Sequence, residues 1–211
     1  MKRTYFKSCL LFVILMLVTI DVMVAQKSEV PVESWERRLN MRQPPEKIMD
    51  AIGLKEGMII GDIGAGRGRL AVWFAARVGE SGKVYANDIN KGVLDYIESR
   101  CKRHNIRNII TILGEVENPL LPEKKLDIAF MINVYHHLDK PVELLRNTIP
   151  SLKPNGILAI VERDPEKAGG VSWESTPKKK LIEQVVKAGF KLIRVDDFLE
   201  EDNLYIFRRN K

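Results

Sequence analysis

Apolar positions recur along this chain in two alternating periods. Short, predominantly apolar runs at 58–63, 83–88, 109–113, 126–132 and 157–161 read as strands. Between them, apolar residues that return every three or four positions predict helices over 70–78, 91–104, 141–152 and 177–188, the last stopped by Gly189. Pro44 and Pro45 suit the start of an earlier helix in which Ile48, Met49 and Ile52 share a face, and Lys153-Pro154-Asn155-Gly156 reads as a turn. Strands that are apolar on both faces belong to a parallel sheet covered by helices, so the alternation predicts right-handed crossovers and a doubly wound α/β sheet with a ligand crevice at its carboxyl ends. The last two strands, 190–195 and 204–208, are too close for a crossover helix, and an antiparallel C-terminal hairpin is expected to complete a mostly parallel, seven-stranded sheet.

The N-terminus departs from that rhythm. Lys2, Arg3 and Lys7 precede an apolar run over 9–20, and Val22-Met23-Val24-Ala25 offers a small residue before Gln26, which is the three-part pattern of a secretory signal. The run is short for a bilayer span, which favours a cleaved signal peptide over 1–25; residues 5–25 hold only Lys7 and Asp21 as charges, so an uncleaved membrane anchor stays open. Either way the basic flank predicts an exported (periplasmic or extracellular) or membrane-anchored domain, with a cytoplasmic protein as the alternative. Residues 26–45 are polar and interrupted by Pro31, Trp35, Pro44 and Pro45. They read as a linker and N-terminal cap whose stretch 35–42 is expected to lid the pocket of a domain over 46–211.

Composition narrows the classes. With 45% apolar and 29% charged residues the chain is globular rather than disordered. Without 1–25, which hold three basic residues and one acidic, 31 basic and 27 acidic residues leave a net charge of +4. That mild excess, with no interleaved aromatics, disfavours nucleic acid as a partner, and Lys178-Lys179-Lys180 reads as a solvated face. Cys9 and Cys101 cannot pair in a cleaved product, and a third histidine, His104, makes no metal set with His136 and His137.

Chemistry concentrates where the first strand meets its helix, in Asp62-Ile63-Gly64-Ala65-Gly66-Arg67-Gly68. Glycines let backbone pass close to a ligand. A dinucleotide fingerprint needs glycine or alanine at the position held by Arg69, so the spacing is G-x-G-x-G instead. Asp62 would repel a pyrophosphate but attract a sulfonium or an ammonium, so the ligand should carry positive charge. Asp88 closes the second strand, where a carboxylate can accept from the two hydroxyls of a ribose.

Together with Val84-Tyr85-Ala86-Asn87-Asp88, Leu126-Asp127-Ile128-Ala129-Phe130 and Leu152-Lys153-Pro154-Asn155-Gly156, this turn resembles the successive motifs of class I S-adenosylmethionine-dependent methyltransferases, in family order and spacing from about residue 44 to 209. The resemblance is nearest to the quinone C-methyltransferase and arsenite methyltransferase-like branch. It implies a Rossmann-like fold, S-adenosyl-L-methionine as cofactor, and cofactor contacts from Asp62, Gly64, Ala65, Gly66 and Gly68 around the methionine part. Asp88 and Ile89 would lie at the ribose, Glu115 and the Val116 backbone at the adenine, and Asn133 beneath the cofactor through its backbone. The branch's three-cysteine arsenic pattern is absent, and its histidine before the last long helix is replaced by Val171-Ser172-Trp173-Glu174-Ser175-Thr176.

Methyl transfer asks the protein for alignment, exclusion of water and, for some acceptors, a base. Tyr135, His136 and His137 follow the fourth strand and are the candidate catalytic residues; one histidine near neutral pKa could take a proton, or the pair could supply shape and polarity only. Glu162 ends the fifth strand and could border substrate or be a cap. The acceptor is expected to be a small molecule, and a lipophilic one would suit membrane association through the N-terminus. The rivals are a non-catalytic S-adenosylmethionine binder, a methyltransferase acting on protein or RNA, and an NAD-dependent oxidoreductase.

Overall fold

A computed structural model describes residues 30–170 and 175–210; the expected signal or anchor over 1–25 lies outside them, as do residues 171–174 of the stretch before the last helix. The strands are β1 (Ile59–Ile63), β2 (Lys83–Asp88), β3 (Ile109–Leu113), β4 (Leu126–Ile132), β5 (Leu152–Arg163), β6 (Phe190–Asp196) and β7 (Asp202–Arg209). The helices are α1 (Arg37–Arg42), α2 (Pro45–Ala51), α3 (Arg69–Val78), α4 (Lys91–Arg103), α5 (Pro141–Thr148) and α6 (Lys178–Lys187). Among the described residues no helix is long and apolar enough to cross a membrane.

The seven strands lie in the order β3-β2-β1-β4-β5-β7-β6. Strands β1 to β5 pair in parallel, and β7 runs antiparallel to both β5 and β6. This is the doubly wound, Rossmann-like sheet with a reversed C-terminal hairpin. Central strands read as continuous apolar runs because each feeds two cores. In β4, Ile128 and Phe130 enter the cluster with Leu70, Phe74 and Ile97, whereas Ala129 and Met131 enter the one with Leu145, Leu181 and Val185. The same alternation divides Leu204 and Ile206 of β7 from Tyr205 and Phe207.

The largest departure from the sequence pattern lies between α5 and β5. Helix α5 stops at Thr148 and passes through a single 3-10 turn, Ile149–Ser151, and β5 begins at Leu152 instead of 157. Lys153-Pro154-Asn155-Gly156, expected to be a free turn, is an irregularity inside the strand: Leu126 pairs with Leu152, and two residues later Ile128 pairs with Ile157. A side chain at Gly156 would come within 2.9 Å of the Leu126 carbonyl oxygen, so the detour closes tightly.

Strand order reverses between β1 and β4, which are neighbours although β2 and β3 separate them in sequence. Connections leaving their carboxyl ends go opposite ways and open a crevice there. The glycine turn, the end of β2, and the segment after β4 all border it.

Candidate functional site

The turn from β1 into α3 is built on left-handed glycines. Gly64 (φ +71°) lies so near Val134, which follows β4, that a Cβ would sit 2.5 Å from a valine methyl. At Gly66 (φ +53°) a Cβ would meet nothing within 4 Å, so this edge of the turn faces open space. Ala65 donates its amide to the Asn87 carbonyl (2.8 Å), and Gly68 donates to the Ala65 carbonyl (2.9 Å). Asp88 spans two turns: Oδ2 accepts from the Gly66 amide (3.0 Å) and Oδ1 from the Asn90 amide (2.9 Å). Each oxygen keeps a second lone pair for a hydroxyl.

Beneath the turn, the Asp62 carboxyl is 2% exposed, and its Oδ1 has no hydrogen-bond partner among the described residues. Burial pushes its pKa up to about 7, with Asp88 adding to the rise and Arg69 opposing it. Ile89 is 61% exposed at the end of β2, and Glu115 and Val116 are exposed past β3, where the Glu115 backbone pairs with that of Asn118. These three form an outer rim, apart from the buried Asp62.

After β4, Asn133 takes a left-handed conformation (φ +54°) and its amide N–H reaches the Val161 carbonyl (3.1 Å). Its side chain pairs with the fully buried Gln43: Gln43 Nε2 donates to Asn133 Oδ1 (2.9 Å), and Asn133 Nδ2 donates to Gln43 Oε1 (3.1 Å). Gln43 and Arg69 were not singled out as site residues by sequence; one sat in a polar linker and the other served only to break a dinucleotide pattern. Yet Arg69 is 7% exposed and donates to Gln43 Oε1 (2.8 Å) and Asn40 Oδ1 (3.1 Å).

The three residues after Val134 part company. Tyr135 is 3% exposed in the core on the α6 side, its hydroxyl donating to Gln184 Oε1 (3.2 Å), and burial holds the phenol well above its usual range. His136 turns to β5 instead: Nδ1 lies 2.8 Å from Glu162 Oε1, with the side chains 6% and 0% exposed. His137 is exposed and tilts its ring against that of His136 at a centroid distance of 4.1 Å. Burial raises the Glu162 carboxyl, and His136 and the Thr176 hydroxyl draw it back down. A buried carboxylate beside an imidazole fixes which ring nitrogen carries the proton. The pairing was invisible in sequence because 26 residues separate its members.

Comparisons with known proteins bear on this arrangement. Residues 60–156 match the family described as a methyltransferase domain. The ubiquinone/menaquinone biosynthesis C-methyltransferase UbiE of Azotobacter vinelandii is 28% identical over 111 residues, 52% of this chain and 44% of that protein. A SAM-dependent methyltransferase from Aquifex aeolicus superposes with a TM-score of 0.76 at 25% identity, covering 87% of this chain and 98% of that one. Residues 60–156 thus match a methyltransferase domain, and the surrounding sheet has the fold of class I S-adenosylmethionine-dependent methyltransferases. The same fold, at 19% identity and a TM-score of 0.65 over 74% of this chain and 59% of the other, occurs in the cyclase SpnF. The chain spans less than half the length of the curated relative it matches.

The residues lining this crevice fit S-adenosylmethionine. The unpartnered Asp62 oxygen offers a buried acceptor for an ammonium, and the open edge at Gly66 gives backbone access. Asp88 can take two hydroxyls on its spare lone pairs, and exposed Ile89 and Val116 offer apolar surface to a base.

Proposed function

We propose that this chain transfers a methyl group from S-adenosylmethionine to a small, lipophilic acceptor, with His136 as the base that readies it. The reading is carried by the buried Asp62 oxygen without a partner beneath an open glycine edge, which matches a cationic ligand and not a pyrophosphate. When bound, the cofactor would supply the electrophilic methyl group, which the acceptor would take from its sulfonium sulfur. Glu162 Oε1 accepts a hydrogen bond from Nδ1–H of His136, leaving Nε2 to take a proton from the acceptor's attacking oxygen or carbon. Tyr135 supports this segment from the core, where Gln184 holds its hydroxyl. The match to a quinone-pathway C-methyltransferase supports an aromatic, quinol-like acceptor. The exported or membrane-anchored location read from residues 1–25 belongs to the same proposal, since it brings the domain beside lipophilic compounds.

Calorimetric titration of the full chain with S-adenosylmethionine and, separately, NAD tests the first half. Micromolar binding of the former, lost in Asp88→Ala, is expected; binding of NAD alone would sink the proposal. Turnover is then followed as release of S-adenosylhomocysteine with quinol acceptors, which separates a transferase from a non-catalytic binder on the same fold. His136→Ala should slow it roughly a hundredfold while leaving cofactor affinity in place.

A further inference from the structure

The strap formed by residues 30–43 meets the crevice at one buried side chain. Gln43 is 0% exposed, and its carboxamide makes four hydrogen bonds. Nε2 donates to Asn133 Oδ1 (2.9 Å) and Asp202 Oδ2 (3.1 Å), while Oε1 accepts from Arg69 (2.8 Å) and Asn133 Nδ2 (3.1 Å). A primary amide has two donors and two acceptor lone pairs, so nothing is left over and only one orientation satisfies all its partners. Those partners come from three walls of the site. Arg69 follows the glycine turn, Asn133 follows β4 in a left-handed conformation, and Asp202 opens β7 close enough to Glu162 to raise its carboxyl.

We propose that Gln43 is a positioning residue that couples docking of the strap to the geometry of the cofactor crevice. With the amide in place, Arg69 is drawn toward the strap beside Asp62, and Asn133 is held in a conformation that few residues other than glycine adopt. Strap docking and cofactor binding then favour one another by the same factor, because a coupling free energy is reciprocal. The proposal rests on the reading of this crevice as an S-adenosylmethionine site.

Asn133→Gly isolates the coupling. Glycine keeps the left-handed backbone without strain and removes only the amide that pairs with Gln43. Amide exchange of residues 37–43 in the full chain with and without ligand, the affinity for S-adenosylmethionine and for S-adenosylhomocysteine, and Tm would be measured for wild type, Asn133→Gly and Gln43→Met. In the wild type either ligand is expected to slow that exchange, and in Asn133→Gly this slowing and the ligand affinity should both fall about fivefold to tenfold, with Tm of the glycine variant nearly kept. If Gln43→Met does not fold, Asn133→Gly decides alone. Wild-type affinity in a folded variant would overturn the proposal, even with faster exchange, since Gln43 would then be an anchor only. A wild-type chain that binds neither ligand overturns the cofactor reading and this coupling together, whereas a binding wild type with unaltered variants overturns the coupling alone.

Discussion

Asp62 lies two residues before the first glycine of the turn, 2% exposed, with a carboxyl that burial has pushed up to about 7 from an ordinary 3.8. Between those values the ligand-free native state holds a proton that the unfolded chain has released. Its stability therefore falls as pH rises through that window, by at most about 1.4 kcal/mol per unit, and the loss stops above about 7. An ammonium brought beside the carboxyl reverses the preference, so cofactor binding at pH 6 should expel a proton, and affinity should rise with pH until about 7. Calorimetry at pH 6 in two buffers of different ionisation heat reads that proton directly, and Asp62→Asn should abolish it. Heats that do not depend on the buffer in the wild type would contradict this role. The neighbouring glycines separate folding from binding. Gly64→Ala drives a methyl to 2.5 Å from Val134 and is expected to cost about 3 kcal/mol in denaturant unfolding. Gly66→Ala meets no atom of the protein and should cost about 1 kcal/mol, yet weaken S-adenosylmethionine at least tenfold. Equal stability losses in the two variants would refute the distinction.

At the scale of elements, the strap is held by charges that are rarely buried. Arg100 of α4 and Glu36 are both 0% exposed, joined at 2.6 and 3.0 Å, and Arg100 also donates to the Pro31 carbonyl at 2.6 Å. Arg67 of the glycine turn lies over the rings of Trp35 and Tyr96, and Glu33 accepts from Tyr96, Trp35 and Arg103. Removing one member of a buried pair in a rigid core costs about 3–5 kcal/mol. Here the strap can lift and rehydrate Glu36, so Arg100→Ala is expected to lose less than that in global unfolding while exposing residues 30–43 to proteolysis. A strap that stayed protected in Arg100→Ala would show that the pair does not hold it. None of this was legible beforehand, since Glu33 and Glu36 sit in a polar stretch, and helical periodicity marks Leu94 and Ile97 as buried but gives no reason to bury Arg100. Strands β2, β3 and β4 were legible to the residue because each is a short apolar run between polar ends. The start of β5 was not, because proline and glycine punctuate a strand irregularity and a free turn alike. The glycine turn and the place of Asp88 beside it were legible in local spacing; the His136–Glu162 and Gln43–Asn133 contacts join residues 26 and 90 apart, which no local pattern encodes.

For the whole molecule, two cores on opposite faces of one sheet leave the crevice as the place where strap, glycine turn and the ends of β4 and β5 meet. Among the described residues no helix is long and apolar enough to cross a membrane, and the proposed membrane location is read from the sequence ahead of them. Lys2, Arg3 and Lys7 before the apolar stretch favour retention of that end on the cytoplasmic side, which would carry the domain across. S-adenosylmethionine is made in the cytoplasm, so export separates the site from its supply unless the cofactor crosses as well or is bound beforehand. Fractionation of cells making the full chain settles the location: the domain is expected in the membrane or the exported fraction, protected from external protease only while the outer barriers are intact. Replacing Lys2, Arg3 and Lys7 with glutamate should return it to the cytoplasm. A wild-type chain recovered from the soluble cytoplasm with residues 1–25 attached would overturn the exported reading and leave the proposed methyl transfer untouched, since the crevice is assembled entirely from residues beyond the segment that directs it.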